Sequence, residues 1–238
     1  MATLEVDIWP IVWYNISMKK IIFTALIIVV VAVVIILSWP TPTPQKSTNQ
    51  LLSQVSYSLT NRYDDPSVNQ VFVDNILLTL AYMSGKINRG DPIVWNAVKS
   101  AGVTELVLKP GQTFAFHDSV LAKYQGKIAS TTNAHFISSE GFKSDGWLVG
   151  DGVCHLASFM YVVSKEAGLK TEAPTKHDFA TIAEVPKSHG VSIFYSPVNQ
   201  TSSNLQNLYI TNTYSHPVAF IFYHKNDSLN IKVEKKYN

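Results

Sequence analysis

The segment Gly150-Asp151-Gly152-Val153-Cys154-His155 constrains the fold more than any other part of the chain. Its two glycines mark a turn, and Leu156, Ala157, Phe159, Met160, Val163 and Ala167 follow at helical spacing. Gly168 supplies a C-terminal stop, with Leu169 placed to make the hydrophobic contact just beyond it. The only cysteine, Cys154, therefore falls in or just before the first helical turn. Unpaired N–H groups and the helix dipole favour a thiolate there. A thiol so placed is either a nucleophile or a small buried hydrophobe, which is how most free cysteines behave.

What surrounds this helix is β-rich. Val107 and Leu108 read as a strand, Pro110-Gly111 as a turn, and Phe114 and Phe116 alternate after it. Beyond the helix, segments 190–195, 208–214, 218–224 and 229–234 read as strands, with Lys225-Asn226-Asp227-Ser228 as a hairpin turn. One helix packed on an antiparallel sheet, an α+β domain over residues 106–238, fits this order. Residues 50–105 read as a helical lead-in: short helical or mixed segments at 50–59 and 74–85, and a helix from Trp95 ended by Gly102.

The N-terminal part differs in kind. From Ile21 to Trp39 no residue is charged. Such a span of helix rises roughly 28 Å, close to the hydrocarbon thickness of a bilayer. Lys19 and Lys20 precede it, so the positive-inside rule puts residues 1–20 in the cytoplasm as a short N-terminus. Residues 21–39 are then a single-pass anchor whose partner is the lipid bilayer. Residues 40–49, rich in Pro and Thr, form a stiff spacer that presents the rest outside the cell membrane. A cleaved signal starting at Met18 and a buried core helix are the competing readings. The length of the apolar run and the lack of a small-x-small site before Trp39-Pro40 favour the anchor.

Charge and cysteine usage exclude several classes. A net charge of +2, with no basic run interleaved with aromatics, argues against nucleic acid as a partner. One cysteine excludes an internal disulfide framework. Phosphate loops, dinucleotide fingerprints and serine elbows are absent, and no cofactor is called for. Cys154, His155, His177 and His189 could supply zinc ligands, but no H-x-x-x-H or C-x-x-C spacing supports a metal.

Several separated blocks carry a family resemblance. Leu108 to Phe116 (LKPGQTFAF) resembles the LKPGETFSFN strand of the VanW-like family. Gly150 to His155, with Ser158 and Tyr161, resembles its GGGVCQ-x-x-[ST]-x-x-Y segment. His177 resembles a histidine that follows the helix there, and Asn212 with His216-Pro217-Val218 resembles the NxTxxPV segment. The resemblance covers about residues 60–224 and implies a bacterial cell-envelope protein rather than a defined reaction. The chain departs from the pattern at Asp151, at His155, and at His189-Gly190, where the family tends to show Asp-Ala. If that Asp orients a catalytic group, its replacement by His189 removes the orienter.

Two functional classes follow. In the first, the domain binds or scaffolds cell-wall, peptidoglycan-like material, with Asp151, His155 and Ser158 as substrate-binding candidates. In the alternative, it is a cysteine-dependent hydrolase or acyl-transferase on cell-wall peptide bonds. Cys154 is then the nucleophile, His177 the base and His189 the second imidazole, with Asp178, His189 or Asn212 to hold the ring. His155 is expected on the solvent side of the first helical turn and Asp151 as a cap or turn residue. His117-Asp118 reads as a loop pair, and His135, His216 and His224 as surface or strand residues. The altered polar positions give the binding reading the edge.

Overall fold

The structure, a computed structural model, describes residues 49–147 and 149–237. The expected cytoplasmic segment, anchor and nearly all of the Pro/Thr spacer lie outside the described residues. Within the described residues no helix is long and apolar enough to cross a membrane.

Among the described residues, two four-stranded sheets and four α-helices make an α+β domain. The first sheet is antiparallel in the order β1 (Gln50–Ser58), β8 (Ser228–Lys235), β7 (Val218–Lys225), β2 (Gly102–Leu108). Alternation fixes its inner face: Thr104, Leu106 and Leu108 of β2 point inward while Val103, Glu105 and Val107 point out. Phe220, Phe222, Leu229, Ile231 and Val233 continue that face, all essentially without exposure. The β7–β8 connection is a two-residue turn with Lys225 paired to Ser228 and Asn226 at φ 51°. A positive φ there matches the twist of the flanking strands.

Helices α1 (Pro66–Met83) and α3 (Val153–Glu166) cover this face. Asp65 caps α1, accepting from the N–H of Ser67 at 2.8 Å, and Pro66 occupies the first turn, where its missing N–H costs nothing. The helix is buried on nearly every side from Asp74 to Tyr82. In α3 the periodic set Leu156, Ala157, Phe159, Met160 and Val163 is fully buried, as its spacing predicts. Phe159 stacks on Tyr57 of β1 with centroids 3.8 Å apart. Burying a ring of that size contributes about 1.5–3 kcal/mol. The short α2 (Trp95–Lys99) leans on α1, with Lys99 paired to the buried Asp74 at 2.8 Å.

The second sheet has the order β4 (Ile128–Ser130), β3 (Thr113–Ala115), β6 (Tyr209–Thr211), β5 (Lys170–Glu172), with β3 and β4 parallel. Phe114, Ala115 and Phe116 are all buried, so β3 is covered on both faces. The Pro110-Gly111 turn passes the chain from the first sheet to the second. Asn212 locks that crossing: its Nδ2 donates to the carbonyls of Leu108 and His216, each at 2.9 Å, and its Oδ1 accepts from Tyr214.

Several local expectations change. Residues 50–58 are a strand, not a helical or mixed segment; Ser53 and Tyr57 face inward past a bulge, and the partner strand lies at the far end of the chain. Residues 74–83 belong to an 18-residue helix. The helix at Trp95 ends at Lys99, and Gly102 opens β2 instead of stopping it. Segment 190–195 makes a single bridge, Val191 to Lys176, and of 208–214 only Tyr209–Thr211 is strand.

α1 and α3 cross where Gly152 sits at φ 94°, and a Cβ there would run into the backbone carbonyl of Phe72. Gly152→Ala therefore meets both strain and a fixed obstacle, and should cost at least about 2 kcal/mol. Urea denaturation checks this; an unchanged midpoint would show that the crossing does not depend on backbone contact.

Candidate functional site

Gly150-Asp151-Gly152 forms the expected turn into α3, closed by the Val153 N–H on the Gly150 carbonyl at 3.0 Å. Gly152 itself occupies the cap position, in the left-handed region. Asp151 does not cap the helix. Its carboxylate accepts the N–H of Asp145 at 3.1 Å, and burial raises its pKa above the usual carboxylate value.

Asn75 of α1 fixes the turn from below. Its Nδ2 donates to the carbonyls of Asp151 (2.8 Å) and Lys143 (3.0 Å), and its Oδ1 accepts the Lys143 N–H (2.9 Å). Every polar atom of this fully buried amide is used. Ser158 does comparable work one turn along α3. Its hydroxyl donates to the Cys154 carbonyl at 2.7 Å and accepts the Val191 N–H at 2.9 Å, joining α3 to the following segment.

Above the turn lies a cleft of about 390 Å³, within the size range of small-molecule sites. Asp151, Cys154, His155 and His177 all line it. A second cavity, between α1 and the first sheet, has about 20 Å³ and no room for more than a water.

The sulfur of Cys154 is hydrogen-bonded to the backbone of Ile193, accepting its N–H at 3.4 Å and donating to its carbonyl at 3.6 Å. The residue is half-buried and lines the cleft. Burial pushes the thiol up to about 11, and the Asp151 carboxylate adds to the rise, outweighing the hydrogen bond from Ile193. The thiolate expected from the helix start is thus disfavoured by desolvation.

His155 is buried, not on the solvent side. Phe72 covers it edge-on at 5.0 Å because α1 passes over the first turn of α3. Burial, then the nearby Arg62, lowers its pKa to about 3. His177 stands 6.4 Å from His155, ring perpendicular, and burial lowers its pKa too. Gly190 allows this placement. Its carbonyl accepts the His177 N–H at 3.1 Å, and a Cβ at 190 would collide with the His177 carbonyl. His189 does not line the cleft; its ring lies against Tyr161 at 5.5 Å. Asn212 holds the sheet crossing instead. Among the described residues no cluster of three His, Cys, Asp or Glu is arranged for a metal ion.

The structure adds residues that spacing did not single out. His135 lines the cleft with its ring stacked on Tyr195 at 3.8 Å, and its Nε2 meets Asp118 at 2.9 Å and its Nδ1 meets Glu140 at 3.5 Å. His117, read as a loop residue, is wholly buried and titrates down at about 4, because of burial. Arg62 is a buried cation beside Phe159, paired with Glu184 at 3.5 Å. Positive φ at Asn133 and Phe136 marked nothing in the sequence, since neither is glycine.

An α+β domain with a cleft set at the start of its central helix is thus defined. The chain belongs to the VanW-like family: the family model described as "VanW like protein" matches residues 96–234. No curated protein and no solved structure matches it. Arg62, Tyr63 and Phe72, which line the cleft, lie ahead of the matched span.

Buried histidines shape the acid side of the stability profile, His117 and His177 adding to His155, and Cys154 contributes on the alkaline side. His155 has a folded pKa below its unfolded value, so its contribution is complete above about 6.5 and drains away as pH falls towards about 3. Cys154 has a folded pKa above its unfolded value, so its contribution is complete below 9.0 and is lost as pH rises to about 11. Denaturation at a series of pH values should show both limbs, and His155→Leu should make the acid one shallower, with His117 keeping part of it. Alkylation of Cys154 should be slow at neutral pH until the chain is unfolded. Fast labelling of the folded chain, with the midpoint of a free thiol, contradicts this account.

Proposed function

We propose that this VanW-like domain acts in the cell envelope by binding cell-wall, peptidoglycan-like material in the cleft above the Gly150-Asp151-Gly152 turn. The observation that carries this reading is the state of Cys154. Its sulfur is hydrogen-bonded to the Ile193 backbone, and its thiol is pushed up to about 11. A nucleophile needs an imidazole to take its proton. Here His177 lines the same cleft without a hydrogen bond to the sulfur, and Ser158 is occupied in holding the backbone. What remains is an open, well-formed recess with convergent polar groups, the usual form of a binding site.

The test uses the full-length chain and purified peptidoglycan. The chain should sediment with the insoluble wall material, and Cys154→Ala should sediment equally well. Peptide release from the wall that disappears in Cys154→Ala would instead support the thiol enzyme. A chain left entirely in the supernatant would overturn the binding reading.

The same reading takes residues 21–39 as a membrane anchor with residues 1–20 inside the cell. The support is the uncharged apolar span behind Lys19 and Lys20. Protease added to intact cells should remove the region after Pro40 and spare the N-terminus. Recovery of residues 41–238 as a free product would mean cleavage instead of anchoring.

A further inference from the structure

The cleft is built of rings. Tyr63 contacts Phe72 at 5.5 Å, Phe72 contacts His155 at 5.0 Å, His155 contacts His177 at 6.4 Å, and His177 contacts Phe179 at 4.0 Å. All five line the cleft, and the run ends in exposed rings on both sides: Tyr63 is 49% exposed and Phe179 73%. Phe194, also exposed, and the parallel His135–Tyr195 stack add further ring faces to the lining. Rings left in water at the rim of a recess are unusual unless something covers them.

The polar lining carries few formal charges. Arg62 and Asp151 are the only formally charged side chains in the lining described. The Arg62 side chain has no exposure and is held by Glu184. Burial shifts Asp151, Cys154, His155 and His177 each towards its uncharged form. Neutral imidazoles both donate and accept, which suits hydroxyl and amide groups rather than ions. A carboxylate or phosphate finds no exposed cation in this lining, which disfavours an acidic peptide.

We propose that the cleft takes an uncharged N-acetylated sugar of a glycan strand, its C–H faces laid on the exposed rings of Tyr63 and Phe179 and its hydroxyl and acetamido groups turned into the recess between them. This rests on the wall-binding reading and names the part of the wall that is held. Sugar faces are apolar and their edges polar, and the two kinds of surface meet here in one recess.

The probe is chitotetraose, a neutral tetramer of N-acetylglucosamine, titrated calorimetrically into the full-length chain. It should bind, and Phe179→Ala and Tyr63→Ala should each weaken it about fivefold, the value of one lost ring contact, with the melting transition unchanged. The de-N-acetylated tetramer should bind about tenfold more weakly because it lacks the acetamido groups that the recess is proposed to hold. Binding untouched by both ring deletions, or equal for the two tetramers, overturns the proposal. Failure of chitotetraose while peptidoglycan still sediments the chain overturns the sugar assignment and leaves wall binding standing. Failure of both overturns both.

Discussion

The site depends on one buried amide. Asn75 has no exposure, so each of its polar atoms must be matched inside the protein or cost about 1–3 kcal/mol. It is matched by the backbones at Lys143 and Asp151, the two arms from which the turn into α3 is suspended. Because Asn75 belongs to a long capped helix, the turn is referred to a rigid element rather than left to loop geometry. Gly152 then lets α3 start against the backbone of that same helix. The position of the cleft relative to the core follows from these two contacts.

The same closeness explains the electrostatics. Bringing α1 over the first turn of α3 puts Phe72 on His155 and removes water from one side of the cleft. Desolvation then works against the helix-start effect at Cys154. A helix N-terminus favours an anion by typically 0.3–1 kcal/mol at the surface. Moving the thiol from 9.0 to about 11 corresponds to roughly 2–3 kcal/mol in the opposite direction. Burial wins, and the lining as a whole is left short of charge.

How much of this could be read from the chain depends on the range of the interactions. α3 was legible because its signals are local: two glycines, a run of apolar residues at helical spacing, and a stop. The β7–β8 hairpin was legible because its turn carries the register. β1 was not, since the strand that completes its hydrogen bonds begins at Ser228 and its own sequence mixes Ser and Gln with few apolar residues. Cys154, His155 and His177 could be named in advance, but their state could not. The inward orientation of His155 needs α1, and the placement of His177 needs Gly190, which the sequence presents only as a departure from the family pattern. The ring run was illegible because Tyr63, Phe72 and Phe179 come from separate segments, and each alone reads as ordinary core or surface.

The Ile193 clasp on Cys154 also bears on oxidation. A free thiol is open to disulfide exchange and to peroxide, and both reactions go through the thiolate. Here the thiolate fraction is starved by a pKa of about 11, and the sulfur is held against a backbone segment. The chain has no second cysteine with which to close an internal bridge. A low thiolate fraction and the backbone clasp together work against cross-linking of this unpaired cysteine between neighbouring copies.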